Sequence, residues 1–191
     1  MLFKGRSRRY TLAMQTPRPS PFTFCPSCGQ KGIEFLRQHE FRCPACGFRY
    51  FHSVATAVGA LLMHEGKALF IERALEPSKG KLGLPGGFTD PGESAEQSLA
   101  REVREEVGGQ VGTPVLLASF PNQYTFGKAW YHTCDFYFQA ELVTPPDELV
   151  IDPAEVTRLV WLNPRDVDLA DLAFPSLQAF WRFLLSSGRL G

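Results

Sequence analysis

The sequence has no excess of charge of either sign and no long apolar run. Its 20 lysine and arginine residues match its 20 aspartate and glutamate residues, so the formal net charge is zero. This balance argues against a general polyanion-binding protein. No apolar stretch approaches the roughly 18 residues that a membrane-spanning helix requires. The length of 191 residues, with 44% hydrophobic and 21% charged residues, suits one sizeable globular domain and a small appendage.

Acidic residues are missing from residues 1–20, which contain proline, serine and five basic side chains. We predict a disordered basic tail here. A transit peptide and a protein that starts at Met14 remain open alternatives. No apolar core of about 7–15 residues follows the charges, so the segment is not typical of a secretory signal, and we expect a cytoplasmic protein. The basic residues are Lys4, Arg6, Arg8, Arg9 and Arg18.

Cysteine is scarce, but four of the five cysteines follow the pattern C-x2-C-x14-C-x2-C. In a reducing compartment, two close pairs of this kind indicate zinc rather than disulfides. Four thiolates complete a tetrahedral Zn²⁺ shell with no open position, so the predicted site is structural. Its ligands are Cys25, Cys28, Cys43 and Cys46.

Residues 21–50 are therefore predicted to form a small zinc ribbon. The segment between the cysteine pairs suits a short hairpin, and it is too small to form a core alone, so metal binding would supply much of its folding free energy. Packing against the next domain or at a dimer interface is one role for the ribbon. Nucleic-acid binding is the other, although the positive charge of the ribbon is modest.

The chain after the ribbon alternates between strand and helix patterns. Apolar and β-branched residues at 53–66 and 67–74, joined by a glycine turn, predict a hairpin of core strands. Residues 173–187 predict an amphipathic helix that buries an apolar face. That face consists of Phe180, Trp181 and Leu184.

A second helix is predicted over residues 95–107. Ser94 suits the N-cap, with Gln97 three residues later, and Gly108 suits the C-terminal stop. One apolar stripe of this helix faces the predicted core. The stripe consists of Leu99, Val103 and Val107.

Three carboxylates share another face of the same helix. Glu102, Glu105 and Glu106 stand at positions i, i+3 and i+4, where like charges repel by a few tenths of a kcal/mol per pair. A hard divalent cation reverses the sign of this interaction, because Mg²⁺ accepts carboxylate oxygens together with substrate phosphates. The alternative is an ordinary solvated acidic face.

The surrounding residues decide between these readings. The segment resembles the Nudix box, G-x5-E-x7-R-E-U-x-E-E-x-G-U, in which U is apolar. Only the last position differs, since Gly109 stands where an aliphatic residue is usual. The matching residues are Gly87, Glu93, Arg101, Glu102, Val103, Glu105, Glu106 and Gly108.

The resemblance implies a fold, an activity and a set of roles. The expected fold is α/β, a Nudix-type α/β/α sandwich with a mixed sheet over residues 51–187, preceded by the small four-cysteine zinc ribbon. Nudix enzymes hydrolyse a nucleoside diphosphate linked to another group and use Mg²⁺ or Mn²⁺. Glu102 and Glu106 would be direct metal ligands, Glu105 a direct or water-mediated ligand, and the Gly86 carbonyl would lie near a metal. The resemblance also pairs Glu93 with Arg101 as a scaffold.

One Nudix branch, the NADH pyrophosphatases, is similar over a wider region. These enzymes carry a zinc ribbon before the Nudix domain and a D-P-x-E-x5-W segment after it. Glu155 matches the glutamate of that segment, which implies a ligand or proton acceptor; an exposed acid before a strand is the alternative. Of the specificity sequence of the branch, S-Q-P-W-P-F-P, Ser119 and Pro121 match two early positions, but the W-P-F-P portion is absent here.

Aromatic and amide residues occupy the place of that specificity sequence. We predict that Asn122 and Gln123 read a ring edge or a ribose beside a stacking surface, since an aromatic face stacks on a base. A hairpin whose aromatics pack on the sheet is the alternative. Cys134, which follows, is predicted to be a buried strand residue. The predicted stacking residues are Phe120, Tyr124, Phe126 and Tyr131.

The sequence therefore predicts a metal-dependent hydrolase that releases a nucleoside monophosphate from a small nucleotide conjugate, with ADP-ribose and NADH as the leading substrates. Nucleoside triphosphates, dinucleoside polyphosphates and capped RNA are alternative substrates. A regulator that senses a nucleotide and touches DNA through its ribbon is an alternative from another class. A homodimer is compatible with the family, and the predicted cofactors are Mg²⁺ or Mn²⁺ for catalysis and Zn²⁺ for structure.

Overall fold

The computed structural model describes residues 22–36, 40–126 and 129–188, without the side chains at 124–126, 129 and 130. The predicted basic tail, residues 1–20, lies outside the described residues. The chain divides into two compact units, the first ending at Ser53 and the second beginning at Val54. No described helix is long and apolar enough to cross a membrane.

The first unit contains a three-stranded antiparallel sheet. Its strands are β1 (Glu34–Leu36), β2 (Glu40–Arg42) and β3 (Arg49–Phe51), in the order β1-β2-β3. The predicted hairpin between the cysteine pairs is confirmed by β1 and β2. Its apolar centre is small: Phe41 is 1% exposed and its ring stacks on Phe35 at 4.5 Å between centroids.

The second unit is built on a six-stranded mixed sheet. Strands β4 (Ala55–His64) and β5 (Lys67–Arg73) form the predicted hairpin. The order is β6-β5-β4-β8-β7, and β9 pairs with β5. Strands β4 and β8 run parallel, and the other pairs are antiparallel. The remaining strands are β6 (Leu82–Gly83), β7 (Val115–Phe126), β8 (Ala129–Ala140) and β9 (Val156–Leu162).

Two helices cover opposite faces of this sheet. Helix α1 (Ala95–Val107) and helix α2 (Pro175–Ser186) lie on different core clusters. Alternate residues of one strand point to opposite faces, and β4 shows this directly, because Ala60 and Leu62 belong to the α1 cluster while Leu61 belongs to the α2 cluster. The predicted α/β/α sandwich with a mixed sheet is thus confirmed.

Both helices were predicted with their buried residues. Helix α1 spans the predicted residues, has a capping box between Ser94 and Gln97, and ends at Gly108 in the left-handed conformation (φ 66°). Its stripe of Leu99, Val103 and Val107 is 0% exposed. The buried face of α2 includes the three predicted residues Phe180, Trp181 and Leu184.

The departure at Gly109 from the family pattern has a packing explanation. A Cβ placed on Gly109 would lie 3.2 Å from methyl groups of Leu149 and Val103 and 3.3 Å from one of Leu142. These neighbours already occupy the space into which an aliphatic side chain would project. The missing side chain therefore leaves no gap just beyond α1.

Candidate active site

The loop before α1 contains two glycines at positions where a side chain would collide with neighbouring atoms. Val58 of β4 donates its N–H to the Gly87 carbonyl and Ala60 donates to the Pro85 carbonyl, so the loop runs tightly along β4. Gly86 has φ 147°, and a Cβ there would lie 2.1 Å from the Val58 carbonyl oxygen. A Cβ on Gly87 would come within 2.7 Å of a carboxylate oxygen of Glu102.

This loop meets the acidic face of α1. The Gly86 N–H donates to Glu106 Oε2 at 2.8 Å, and Glu106 is 5% exposed. The side chain of Glu102 is 12% exposed, whereas that of Glu105 is 54% exposed. The acidic face is therefore not an ordinary solvated surface, because two of its three carboxylates are withdrawn from water.

Arg101 holds this arrangement together. Its Nε and one Nη donate to Glu93 at 2.9 and 3.0 Å, and the other Nη donates to Glu102 at 2.8 Å and to Glu105 at 3.0 Å. The first Nη also donates to the Phe88 carbonyl at 2.9 Å. One guanidinium thus ties the loop to the helix and fixes two carboxylates of the cluster. The pair of Glu93 and Arg101 that the resemblance implies is present.

Burial and mutual repulsion both disfavour the charged forms of these carboxylates. Burial raises the pKa of Glu106 to about 8, against the N–H bond from Gly86, and the charges of Glu102 and Glu155 add to the increase. Burial also raises the pKa of Glu102, although Arg101 opposes it. Partly buried carboxylates whose charges repel one another are donors that Mg²⁺ and Mn²⁺ accept, so the residue types present fit a hard divalent cation.

Glu155 approaches the cluster from another part of the chain. Its carbonyl accepts the Ala74 N–H at 2.8 Å and its own N–H donates to Asp152, which holds this turn beside the end of β5. Glu155 is exposed but lines the same cavity of about 410 Å³ as Glu102, Glu105 and Glu106.

Arg73 was not predicted and is a cationic group in this cavity. Its Nε donates to the Pro77 carbonyl at 3.1 Å, and its guanidinium lies 4.9 Å from the centre of the Phe174 ring. The pairing of β5 with β9 shifts register between Glu72 and Arg73, and such a bulge re-aims the side chain that follows it. A charged residue at a strand end is too common a pattern to have identified Arg73 from the sequence.

The far wall of the cavity consists of neutral polar and apolar groups around Asp135. Asp135 is 7% exposed and accepts hydrogen bonds from Thr133 at 2.6 Å and from Asn122 at 3.0 Å. Ser176 of α2 also donates to Asp135 and accepts from Tyr137 at 2.9 Å. Phe174 and Leu177 complete this side. A lone acid inside the apolar alternation of β8 is the signal that could have identified Asp135.

The prediction that Cys134 is a buried strand residue is wrong about burial. Cys134 lies on β8 but is only half-buried, whereas Thr133, Asp135 and Tyr137 are buried. The side chains on either side of Cys134 fill the polar wall and the α2 core, so Cys134 points to the other face of the strand.

The predicted aromatic surface is only partly described. Phe120 does not line the cavity; its ring lies 6.2 Å from that of Phe183 and 6.4 Å from that of Tyr137. Gln123 is exposed, as is Tyr131, while Asn122 is buried and lines the cavity. The side chains of Tyr124 and Phe126 lie outside the described residues.

The four predicted zinc ligands lie together in the first unit. Their Sγ atoms are all within 4.8 Å of one another; Cys25 and Cys43 are buried, and Cys28 and Cys46 are exposed. Gly29 and Gly47 have φ of 73° and 74° and donate to the carbonyls of Cys25 and Cys43. Four converging sulfurs are the donor set of a structural Zn²⁺ site.

Burial acts to raise the pKa of Cys25, but backbone N–H groups of Cys28 and Ser27 outweigh it and lower the value to about 7. Ser27 N–H lies 3.4 Å from the Cys25 sulfur. For Cys28 a backbone N–H at Gln30 lowers the pKa, but the sulfur of Cys46 and burial outweigh it and raise the value to about 12. The two thiols therefore ionise in steps, and Cys25 is the first of them to reach the thiolate form that binds metal.

Comparison with known proteins agrees with this geometry. A family model described as NUDIX domain matches residues 53–181. The NAD-capped RNA hydrolase NudC of Stutzerimonas stutzeri (strain A1501) is 30% identical over 166 residues, which cover 87% of this chain and 55% of that protein. The protein of the same name from Pseudomonas putida (strain W619) is 31% identical over 146 residues, covering 75% and 49%. The chain spans about half the length of the curated relatives it matches.

Solved structures give the same result. A NUDIX hydrolase from Nitrosomonas europaea aligns with a TM-score of 0.67 at 22% identity, covering 89% of this chain and 94% of that one, which shows the fold. The NUDIX domain of Shewanella oneidensis NrtR, complexed with ADP ribose, aligns with a TM-score of 0.54 at 28% identity, covering 70% and 90%.

Proposed function

Since the chain belongs to the Nudix family, we propose that it hydrolyses the diphosphate of a nucleoside diphosphate linked to another group and releases a nucleoside monophosphate. The observation that carries this proposal is that three carboxylates of α1 and the one at Glu155, among the acidic residues of the chain, line one cavity that also contains Arg73. The four are Glu102, Glu105, Glu106 and Glu155.

The proposed catalytic metal is Mg²⁺ or Mn²⁺. Its ligands would be the four carboxylates and the Gly86 carbonyl. When bound, such a metal neutralises phosphate oxygens and makes water nucleophilic near neutral pH. The proposed structural metal is Zn²⁺, held by Cys25, Cys28, Cys43 and Cys46.

The chain's own groups have separate tasks in this proposal. A carboxylate of the cluster accepts the proton of the attacking water. Arg73 has its Nε occupied by Pro77, so its two Nη nitrogens are available to a phosphate, which a guanidinium binds bidentately. Arg101 keeps Glu102 in place, and Gly87 gives the Glu102 carboxylate the room that a side chain would take away.

ADP-ribose and NADH are the proposed leading substrates. The complex of the NrtR domain with ADP ribose supports the first. A cavity with a cluster of carboxylates from α1 on one side and hydrogen-bonded polar and apolar groups on another suits a conjugate whose diphosphate and ring occupy different subsites. Because the curated relatives carry the name NAD-capped RNA hydrolase, an RNA with an NAD cap is the second candidate.

A substrate panel tests the proposal. NADH, NAD, ADP-ribose, FAD, diadenosine polyphosphates, nucleoside triphosphates and an NAD-capped RNA would each be incubated with Mg²⁺ or Mn²⁺ and the products separated by chromatography. The expected result is release of a nucleoside monophosphate from one conjugate and its loss in Glu102→Gln. Tight nucleotide binding without any turnover would favour the nucleotide-sensing regulator instead.

We also propose that the chain consists of a basic tail at 1–20, a zinc ribbon at 21–50 and a Nudix domain at 51–187. The proposed location is the cytoplasm, where thiolates stay reduced. A homodimer is proposed, and sedimentation equilibrium would test it.

A further inference from the structure

One buried polar atom in the cavity has no role in the proposed hydrolysis of the diphosphate. Asn122 is 7% exposed and lines the cavity. Its side-chain oxygen, Oδ1, is buried and has no hydrogen-bond partner within the part of the chain that the structure describes. A buried acceptor without a partner destabilises a protein, so it usually has one in the functional state.

Asp135 fixes which end of the Asn122 amide is presented. The Asn122 Nδ2 donates to Asp135 Oδ2 at 3.0 Å. Asp135 also accepts from Thr133 and from Ser176, and Ser176 in turn accepts from Tyr137, so each hydroxyl of this network has its proton directed towards the carboxylate. A flipped amide would set two oxygens against each other, so the network commits Asn122 to presenting a carbonyl oxygen.

The surroundings of Asn122 define what could meet this oxygen. A lone carbonyl oxygen accepts and cannot donate, so it selects an N–H or O–H group. Apolar side chains of Tyr137, Phe174 and Leu177 line the same cavity and suit a flat ring better than a sugar. The carboxylates are contributed by α1 and the loop at Glu155, whereas Asn122 lies on β7.

We propose that Asn122 is a specificity-determining residue whose Oδ1 accepts a hydrogen bond from an –NH2 group attached to a ring of the substrate, with Asp135 as the positioning residue. This inference rests on the proposed function. In a dinucleotide such as NAD the chemistry has two sources, the exocyclic amine of the adenine and the carboxamide of the nicotinamide.

Two analogues separate these sources on the wild-type protein. In 3-acetylpyridine adenine dinucleotide a methyl group replaces the carboxamide –NH2, and in nicotinamide hypoxanthine dinucleotide an oxygen replaces the adenine –NH2. We expect one analogue to show a kcat/KM at least about tenfold below that of NAD, because its binding leaves Oδ1 without a donor. The analogue that loses activity identifies the ring that Asn122 reads.

Variants then assign the discrimination to the residue. Asn122→Leu keeps the volume and removes the acceptor, so the ratio of kcat/KM between NAD and the discriminated analogue should fall to within about twofold of one. Asp135→Asn lets the Asn122 amide rotate and should reduce the same ratio, a readout that a merely structural role would not move. Ser119→Ala, an exposed change on the same strand, is the matched control and should leave the ratio unchanged.

Equilibrium dissociation constants for the three dinucleotides separate this inference from the proposed function. A protein that hydrolyses neither these dinucleotides nor any conjugate of the substrate panel, but binds NAD about tenfold more tightly than one analogue, would remove the proposed function and support the role of Asn122. Equal kcat/KM and equal Kd for NAD and both analogues would overturn the role of Asn122 while leaving hydrolysis intact. Absence of both binding and turnover would overturn the role of Asn122, and the proposed function would fall with it only where the other conjugates of the substrate panel are not hydrolysed either. The wild-type comparison decides the matter even where Asn122→Leu does not fold.

Discussion

The ribbon contains four cysteine thiols and the cavity four glutamate carboxylates as proposed metal ligands, but the residues that hold them in place differ greatly between the two units. In the first unit the apolar residues buried among those described are Cys25, Phe41 and Cys43, and two of the three are proposed zinc ligands. In the second unit the carboxylates of α1 stand beside a stripe of three residues that are 0% exposed. Arg101 and the Gly86 N–H already hold three of those carboxylates.

The difference is that folding of the first unit should depend on its proposed metal, whereas the second unit should fold without its proposed metal. Where the ligands form much of the core, the unit and its metal site must be lost together. Where a separate core holds the ligands, the fold does not depend on the metal, and the site can keep an open position for water or substrate, which catalysis requires. The two sites should therefore respond in opposite ways to the same perturbations.

Removal of zinc should have the largest effect, and it should be confined to the first unit. Structural zinc contributes on the order of 10 kcal/mol to small folds of this kind. In Cys43→Ser we expect bound zinc to fall and hydrogen-exchange protection of β2 and β3 to disappear, while α1 stays protected. Cys134→Ser, which changes a cysteine outside the cluster, is the control. Persistent protection of β2 in the zinc-free variant would contradict the comparison.

Substitution of a carboxylate should lower activity without lowering stability. In Glu106→Gln, kcat/KM should fall about 10³-fold, or roughly 4 kcal/mol of transition-state stabilisation, because a metal ligand is lost. The amide still offers an oxygen to the Gly86 N–H and relieves repulsion by Glu102 and Glu155, so the midpoint of urea unfolding should not decrease. Glu96→Gln, an exposed change on the same helix, should preserve kcat/KM and lower stability slightly, because the charge of Glu96 interacts with a backbone N–H of the first turn and with Ser94. A marked loss of stability in Glu106→Gln would make the second site resemble the first.

The sequence predicts the supports of both sites better than it predicts the cavity. Helix α1 was predictable because its caps, apolar stripe and acidic face all lie within residues 94–108. The cysteine cluster was predictable because the spacing of its four cysteines is typical of a zinc site. Arg73 was not, because the bulge that aims it depends on pairing between β5 and β9.

The polar wall was missed for the same physical reason. Asp135 and Ser176 are 41 residues apart in the chain, and their contact exists only after α2 docks on the sheet. Phe120 was predicted as a stacking residue because its aromatic character is visible in the sequence. Its contact with Phe183 of α2, which draws the ring into the core, is not visible there.

Loss of the Arg101 scaffold should have an intermediate effect. Arg101→Lys cannot reproduce the forked contacts to Glu93, Glu102 and Glu105, so we expect kcat/KM to fall about 10- to 100-fold, as changes to groups that orient metal ligands do. The melting temperature should fall by a few degrees. Arg158→Lys is the matched control, because Arg158 pairs with Glu72 from a side chain that is 65% exposed and such surface pairs contribute little. Equal losses in the two variants would show that Arg101 acts only as a surface ion pair.

The smallest expected effect is a pH dependence of the second unit when no Mg²⁺ or Mn²⁺ is present. Burial raises the pKa of Glu106 to about 8, so between its unfolded value near 4.5 and about 8 the folded state binds the additional proton. Stability is then complete at low pH and is lost as the pH rises through the folded pKa, with a slope of up to about 1.4 kcal/mol per pH unit. The raised pKa of Glu102 acts in the same direction, whereas Glu72 and Glu93, whose pKa values are lowered, act only in more acidic solution.

Urea unfolding followed by tryptophan fluorescence measures the stability of this unit, because Trp130, Trp161 and Trp181 all belong to it. Zinc is kept in the buffer so that the thiolates of the ribbon do not titrate. From about pH 6.5 to 7.5 the free energy of unfolding should fall by about 1 kcal/mol in the wild type and by clearly less in Glu106→Gln. An equal fall in both proteins would show that Glu106 is not the group that causes this pH dependence.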